Sequence, residues 1–99
     1  MIKIIINKKS ILIDGHANYD DFGKDIVCAS ATSIATTTIN AILRLDKNAV
    51  KYTSESGQIK IDILKNNKMV NILIENMIEL FKELEKKYKK NIKIEEVSL

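Results

Sequence analysis

The sequence predicts an α+β fold of order ββαββαβ, with two helices packed on a mixed or antiparallel sheet. Three observations predict it. The chain begins with a β-branched apolar run, Ile59, Ile61 and Ile63 alternate with Lys60 and Asp62, and two long segments repeat apolar residues at helical spacing.

The run from Met1 to Asn7 is apolar almost throughout, as a buried strand would be. Asn7-Lys8-Lys9-Ser10 reads as a turn, and Ile11-Leu12-Ile13-Asp14 as the second arm of a hairpin. The stretch from Gly15 to Lys24 breaks all periodicity and holds two of the three glycines, Gly15 and Gly23. Asp25 is expected to cap a helix running from Ile26 to about Leu45. That helix carries almost no charge before Arg44, so burial on more than one side is expected. Asp46-Lys47-Asn48 ends it. Val50 to Glu55 and Gln58 to Leu64 read as a hairpin turning at Ser56-Gly57. In the second helix, from about Met69 to Lys90, Val70, Leu73, Ile74, Met77, Phe81, Leu84 and Tyr88 share one face. Lys86, Lys87, Lys89 and Lys90 fall in its last turns, where they complement the helix dipole. Ile92, Ile94 and Val97 suggest a closing strand.

Length and composition narrow the function classes. At 99 residues the chain is expected to form one domain, residues 1–99. A domain this small buries only about two-thirds of its unfolded surface, so self-association is a natural way to cover more. The net charge of +3 is too small to indicate nucleic-acid binding without a clustered patch. One cysteine excludes an intrachain disulfide and suits a reducing compartment. No stretch is read as approaching the roughly twenty apolar residues of a membrane span, and the N-terminal run is too short for a signal peptide. A soluble, cytoplasmic protein is expected. One Cys and one His do not make a standard zinc site, and three scattered glycines form no phosphate-binding fingerprint, so neither metal nor cofactor is expected.

Cys28 and His16 are the candidate catalytic pair. The thiolate is the nucleophilic form of cysteine, and a helix N-terminus or a nearby imidazolium favours it. With Asp25 as N-cap, Cys28 would be the third helical residue, among backbone N–H groups that could also bind an oxyanion. His16, across the loop, would act as base to the thiol and as acid to the leaving amine. Thr32, Ala35 and Thr36 would lie along the same helix side, small enough for a peptide to cross. Taken singly, these residues also have plain roles. A lone cysteine is more often a small core hydrophobe, a lone loop histidine a surface residue, and a glycine pair a turn.

The segment Gly15-His16-Ala17 followed, after a short loop, by Gly23-Lys24-Asp25-Ile26-Val27-Cys28-Ala29 resembles the signature of the ribosomal-processing cysteine protease family, Prp. Every fixed position of G-H-A and G-x-D-I-V-C-A matches, with the His-to-Cys spacing, and the likeness extends over essentially the whole chain. It implies a site-specific endopeptidase that removes the N-terminal extension of bacterial large-subunit ribosomal protein twenty-seven. It further implies a Cys–His dyad mapping onto Cys28 and His16, a homodimer, and a loop before the helix that moves as substrate enters. Gly15, Ala17, Gly23, Asp25 and Thr32 are the supporting positions. Thr32 stands where the family commonly has Ser, which keeps the hydroxyl and adds a methyl. Two other readings remain at this point. The Lys82–Lys90 block would suit a ribosome-associated RNA- or protein-binding module, although Glu83 and Glu85 dilute its charge. An exposed, reactive thiol would also suit a redox sensor, but no second cysteine is present to resolve it.

Overall fold

Ile at every second position marks four of the five strands, and the computed structural model, which describes residues 1–15 and 22–97 and the side chains of these except 22–25, arranges the strands in one sheet. The elements are β1 (Ile2–Ile6), β2 (Ser10–Asp14), α1 (Phe22–Leu45), β3 (Val50–Glu55), β4 (Gln58–Ile63), α2 (Lys68–Lys87) and β5 (Ile92–Glu96). The expected order ββαββαβ is the observed one. The sheet runs β3-β4-β2-β1-β5 and is mixed: β5 lies parallel to β1, and the other neighbours pair antiparallel.

The register places Ile4 beside Ile13 and Ile94, and Ile11 beside Ile61. These residues share the face on which the helices lie. Ile2, Ile4, Ile6, Ile11, Ile13, Ile61 and Ile92 are buried there. From α1 come Val27, Ala31, Ala35, Ile39 and Ile42, and from α2 Val70, Ile74, Met77 and Phe81. Two layers therefore enclose one core.

Four expectations need correction. β1 is not buried throughout: Lys3 is exposed and Ile5 half-buried, because only one sheet face is covered. α1 is buried along a single stripe rather than on several sides; Ile26, Ala29, Thr32, Ser33, Thr36 and Thr37 are all exposed. The segment Ile26–Leu45 is, by length and composition, long and apolar enough to cross a bilayer, contrary to the sequence reading. Its alanines and hydroxylic residues raise no charge barrier, and its buried stripe packs as that of a core helix does. Finally, α2 stops at Lys87, so Lys89 and Lys90 lie in the turn beyond it. The Tyr88 N–H still reaches the Leu84 carbonyl at 2.9 Å, after which Asn91 and Ile92 both donate to the Tyr88 carbonyl. That tight turn delivers Ile92 to its place beside Ile2.

Candidate active site

β2 ends where the catalytic segment begins. Past Asp14 the ladder with β4 continues for one more bond: the Gly15 N–H donates to the Gly57 carbonyl at 2.9 Å. Gly57 belongs to the two-residue turn between β3 and β4, in which Ser56 (φ 49°) and Gly57 (φ 76°) both adopt left-handed backbone. Such a turn matches the twist of a hairpin, and it aims the Gly57 carbonyl at β2.

Cys28 stands over this junction. A Cβ built on Gly15 would lie 3.2 Å from the Gly57 oxygen and 3.5 Å from Cys28 Sγ. The tight approach is to the Gly57 oxygen, while the sulfur would be in ordinary van der Waals contact. Cys28 is partly exposed, one turn before exposed Thr32, at the mouth of a small cleft of about 120 Å³. Ile2, Ile13 and Ala31 line its depth; Thr32, Ser54, Gly57 and Ile59 line its sides with Gly15 and Cys28.

Of the residues singled out from sequence, Gly15, Cys28 and Thr32 come together here. His16 and Ala17 lie outside the described residues, as does the side chain of Asp25. The backbone at Gly23 and Asp25 is helical, since α1 begins at Phe22. Asp25 is therefore not the N-cap, and Cys28 is the seventh helical residue instead of the third. An aspartate inside the first turn is as compatible with the helix dipole as one at the cap, and a glycine so near the end weakens the helix little. The correction has a chemical consequence. Free N–H groups occur only in the first turn, and at the seventh position the N–H belongs to the intrahelical ladder. The Gly15 N–H is likewise engaged, with Gly57. The first-turn donors expected from sequence are therefore not those of Cys28 itself. Ala35, expected beneath a crossing peptide, is fully buried against the sheet, whereas Thr36 is exposed.

Sequence reasoning missed Ser54, Gly57 and Ile59. The hairpin itself was legible, but its arrival beside Cys28 depends on β4 pairing with β2, a long-range contact that no local pattern encodes.

Comparison with known proteins bears on the family and the fold. The family model for the cysteine protease Prp matches residues 1–93. The ribosomal processing cysteine protease Prp of Staphylococcus aureus is 29% identical over 87 residues, spanning 85% of this chain and 82% of that protein. The Bacillus subtilis protein of the same name is 26% identical over 92 residues, spanning 86% and 82%. The crystal structure of the essential S. aureus ribosomal processing protease Prp in complex with a substrate peptide superposes with a TM-score of 0.91. It shares 24% identity and covers 98% of this chain and all of the other. The same protease with a covalently linked product peptide gives a TM-score of 0.85 at 25% identity, again over 98% of this chain and all of the other.

Proposed function

The chain belongs to the cysteine protease Prp family and is a cysteine protease; from that premise we propose that it removes the N-terminal extension of the bacterial large-subunit ribosomal protein twenty-seven, using Cys28 and His16 as a dyad. One observation carries the assignment of the nucleophile. The chain has a single cysteine, and it opens onto a cleft beside Gly15, the residue bonded to the chain's single histidine.

In the proposed cycle the His16 imidazole takes the thiol proton, and Cys28 Sγ forms a bond to the scissile carbonyl carbon. The tetrahedral intermediate collapses as the C–N bond breaks, and His16 returns the proton to the leaving amine. Water, deprotonated by His16, then attacks the thioester; the new carboxylate leaves and the thiol is restored. Thr32, one helical turn from Cys28 and exposed, is positioned to contact the peptide through its hydroxyl.

Incubating the precursor with wild-type and Cys28→Ala protein tests the reading. Wild type is expected to release the extension, and Cys28→Ala to lose at least about a thousandfold in rate while folding normally, because removing the nucleophile disables the dyad as a unit. Cleavage by Cys28→Ala at the wild-type rate would refute the assignment. The proposal includes a cytoplasmic setting, in keeping with a lone reduced thiol, and a homodimer. The exposed outer face of α1, with Ile26 49% accessible, supports the dimer. Sedimentation at micromolar concentration is expected to give twice the monomer mass, and a monomer there would remove that part. An RNA-binding module is disfavoured by the pairing of Lys82 with Glu96 at 2.7 Å, which occupies one cation of the Lys82–Lys90 block.

A further inference from the structure

We infer that the cleft between the last turns of α2 and strand β5 docks a short acidic segment of a partner protein, one that carries an aliphatic residue between its carboxylates. The inference is independent of the roles given to Cys28 and His16.

The Lys82–Lys90 block is diluted by Glu83 and Glu85 in the linear chain, but the fold sorts these charges. Lys82 and Lys86 lie one turn apart on α2 and so share a face. Lys89 follows in the turn beyond the helix and Lys93 comes from β5, and all four line one cleft of about 790 Å³. Glu83 lies instead in the furrow between α2 and α1. Two carboxylates do reach the cleft, and both are engaged. Glu85 accepts from the Ile94 N–H at 2.7 Å, and Glu96 is paired with Lys82 at 2.7 Å. Lys93 lies 3.8 Å from Glu95 in an exposed pair, a contact of little strength. Among the described residues, Lys86 and Lys89 have no ion-pair partner. The cleft is left with surplus positive charge.

Its floor is apolar. Ile92 is buried and Ile94 partly so, and the lysine stems extend this surface while their ammonium groups stay in water. An aliphatic side chain laid on the floor gains burial, and carboxylates on either side of it meet the lysines. A nucleic acid fits less well. It carries a charge on every phosphate, which would bring some of them against Glu85 and Glu96, and none of the described residues lining the cleft is aromatic, so bases have nothing to stack on. A peptide can space its charges to avoid the two carboxylates. The cleft is also held open in advance. The Ile94–Glu85 bond and the Asn91 and Ile92 N–H groups on the Tyr88 carbonyl fasten β5 to the end of α2. A preformed site of this kind spends little binding energy on ordering itself, and its volume is within the roughly 300–1,000 Å³ of ligand clefts.

Calorimetric titration with the hexapeptide Glu-Leu-Glu-Glu-Leu-Glu tests the inference, with Gln-Leu-Gln-Gln-Leu-Gln, Glu-Ser-Glu-Glu-Ser-Glu and oligouridylate as comparisons. The acidic leucine peptide is expected to bind with a Kd below about 1 mM. Changing its leucines to serine should weaken binding by about tenfold, and so should changing its carboxylates to amides. The double variant Lys86→Glu, Lys89→Glu is expected to lose at least about tenfold in affinity while keeping the wild-type melting profile. Lys86→Gln with Lys89→Gln should lose less, and it serves as the test if charge reversal disturbs the fold. Cleavage by these variants of a short peptide spanning the junction should be unchanged. Failure of the acidic peptide to bind, affinity unaltered by both double variants, or tighter binding of oligouridylate than of the peptide would each overturn the inference. Self-association that is lost in the charge-reversed variant would assign the cleft to a second copy of the chain and overturn it too.

Discussion

Gly15 has no side chain, and the space in which one would begin is bounded on two sides. The Gly57 oxygen would be 3.2 Å from a new Cβ, closer than ordinary van der Waals contact, and Cys28 Sγ would be 3.5 Å away. The carbonyl belongs to a backbone turn and yields less readily than a flexible side chain. Gly15→Ala is therefore expected to displace the hairpin tip by a few tenths of an ångström and to destabilise the fold by about 1–2 kcal/mol, as overpacking does. Because the same methyl abuts the sulfur, activity should fall further than stability explains. Denaturant titration with kcat/KM on the folded protein separates the two effects; unchanged values for both would contradict the packing described. Glycine at this position thus answers a steric demand set by the hairpin carbonyl, with the sulfur in contact range beside it. Asp25 teaches the opposite lesson. A good capping residue was present at the right distance from Cys28, yet the helix starts earlier, at Phe22. Propensity named a plausible cap without deciding which turn would be the first.

At the scale of the element, the edge strand β5 shows how the fold protects an open side. The Ile94 N–H, pointing away from β1, donates to the Glu85 carboxylate of α2 at 2.7 Å. Two residues on, Glu96 is paired with Lys82 of the same helix. α2 thereby covers donors that would otherwise invite another strand. Glu85→Ala is expected to cost about 1–2 kcal/mol, because a partly buried N–H loses a charged acceptor. It should also raise the tendency to self-associate, which light scattering would detect; Glu85→Gln keeps an acceptor oxygen and should lose less. An equal loss for both variants would show that the hydrogen bond matters less than the negative charge. The start of α2 is equally well defined, with Asn67 Oδ1 accepting from the N–H groups of Met69 and Val70. Here the helix starts at Lys68, within a residue of the expected Met69. Asn is among the best capping residues, and the apolar stripe beginning at Val70 leaves little freedom in phase.

Across the whole molecule, the layers meet at the joint between α1 and the β3–β4 hairpin. Asp46, just past α1, accepts from the Asn48 N–H at 2.9 Å and from Lys65 Nζ, beyond β4, at 3.0 Å. The Asn48 hydrogen bond, with that of Lys65, holds the Asp46 carboxyl below the usual aspartate range. A carboxyl whose pKa is lower in the folded state takes up protons more readily when unfolded. Its contribution is therefore complete above about pH 4 and disappears as pH falls through the folded-state value. Asp46→Asn should melt below wild type near neutrality, with the gap closing in acid. A gap that is constant from pH 7 to pH 2 would mean the charge is irrelevant. The effect is expected to be small and salt-sensitive, since the pair is open to solvent.

The element order, the identity of the Cys–His candidates and the protease resemblance were all legible in the linear chain. Periodicity, caps and a contiguous signature are local properties, carried within one or two turns of helix or one strand. Tertiary structure alone decided the sheet order, the single buried stripe of α1 and the place of Cys28 in its second helical turn. It alone brought Ser54 and Ile59 beside the sulfur. These facts arise from contacts between segments far apart in the chain, where many pairings satisfy the same local pattern and only simultaneous packing of one core selects among them.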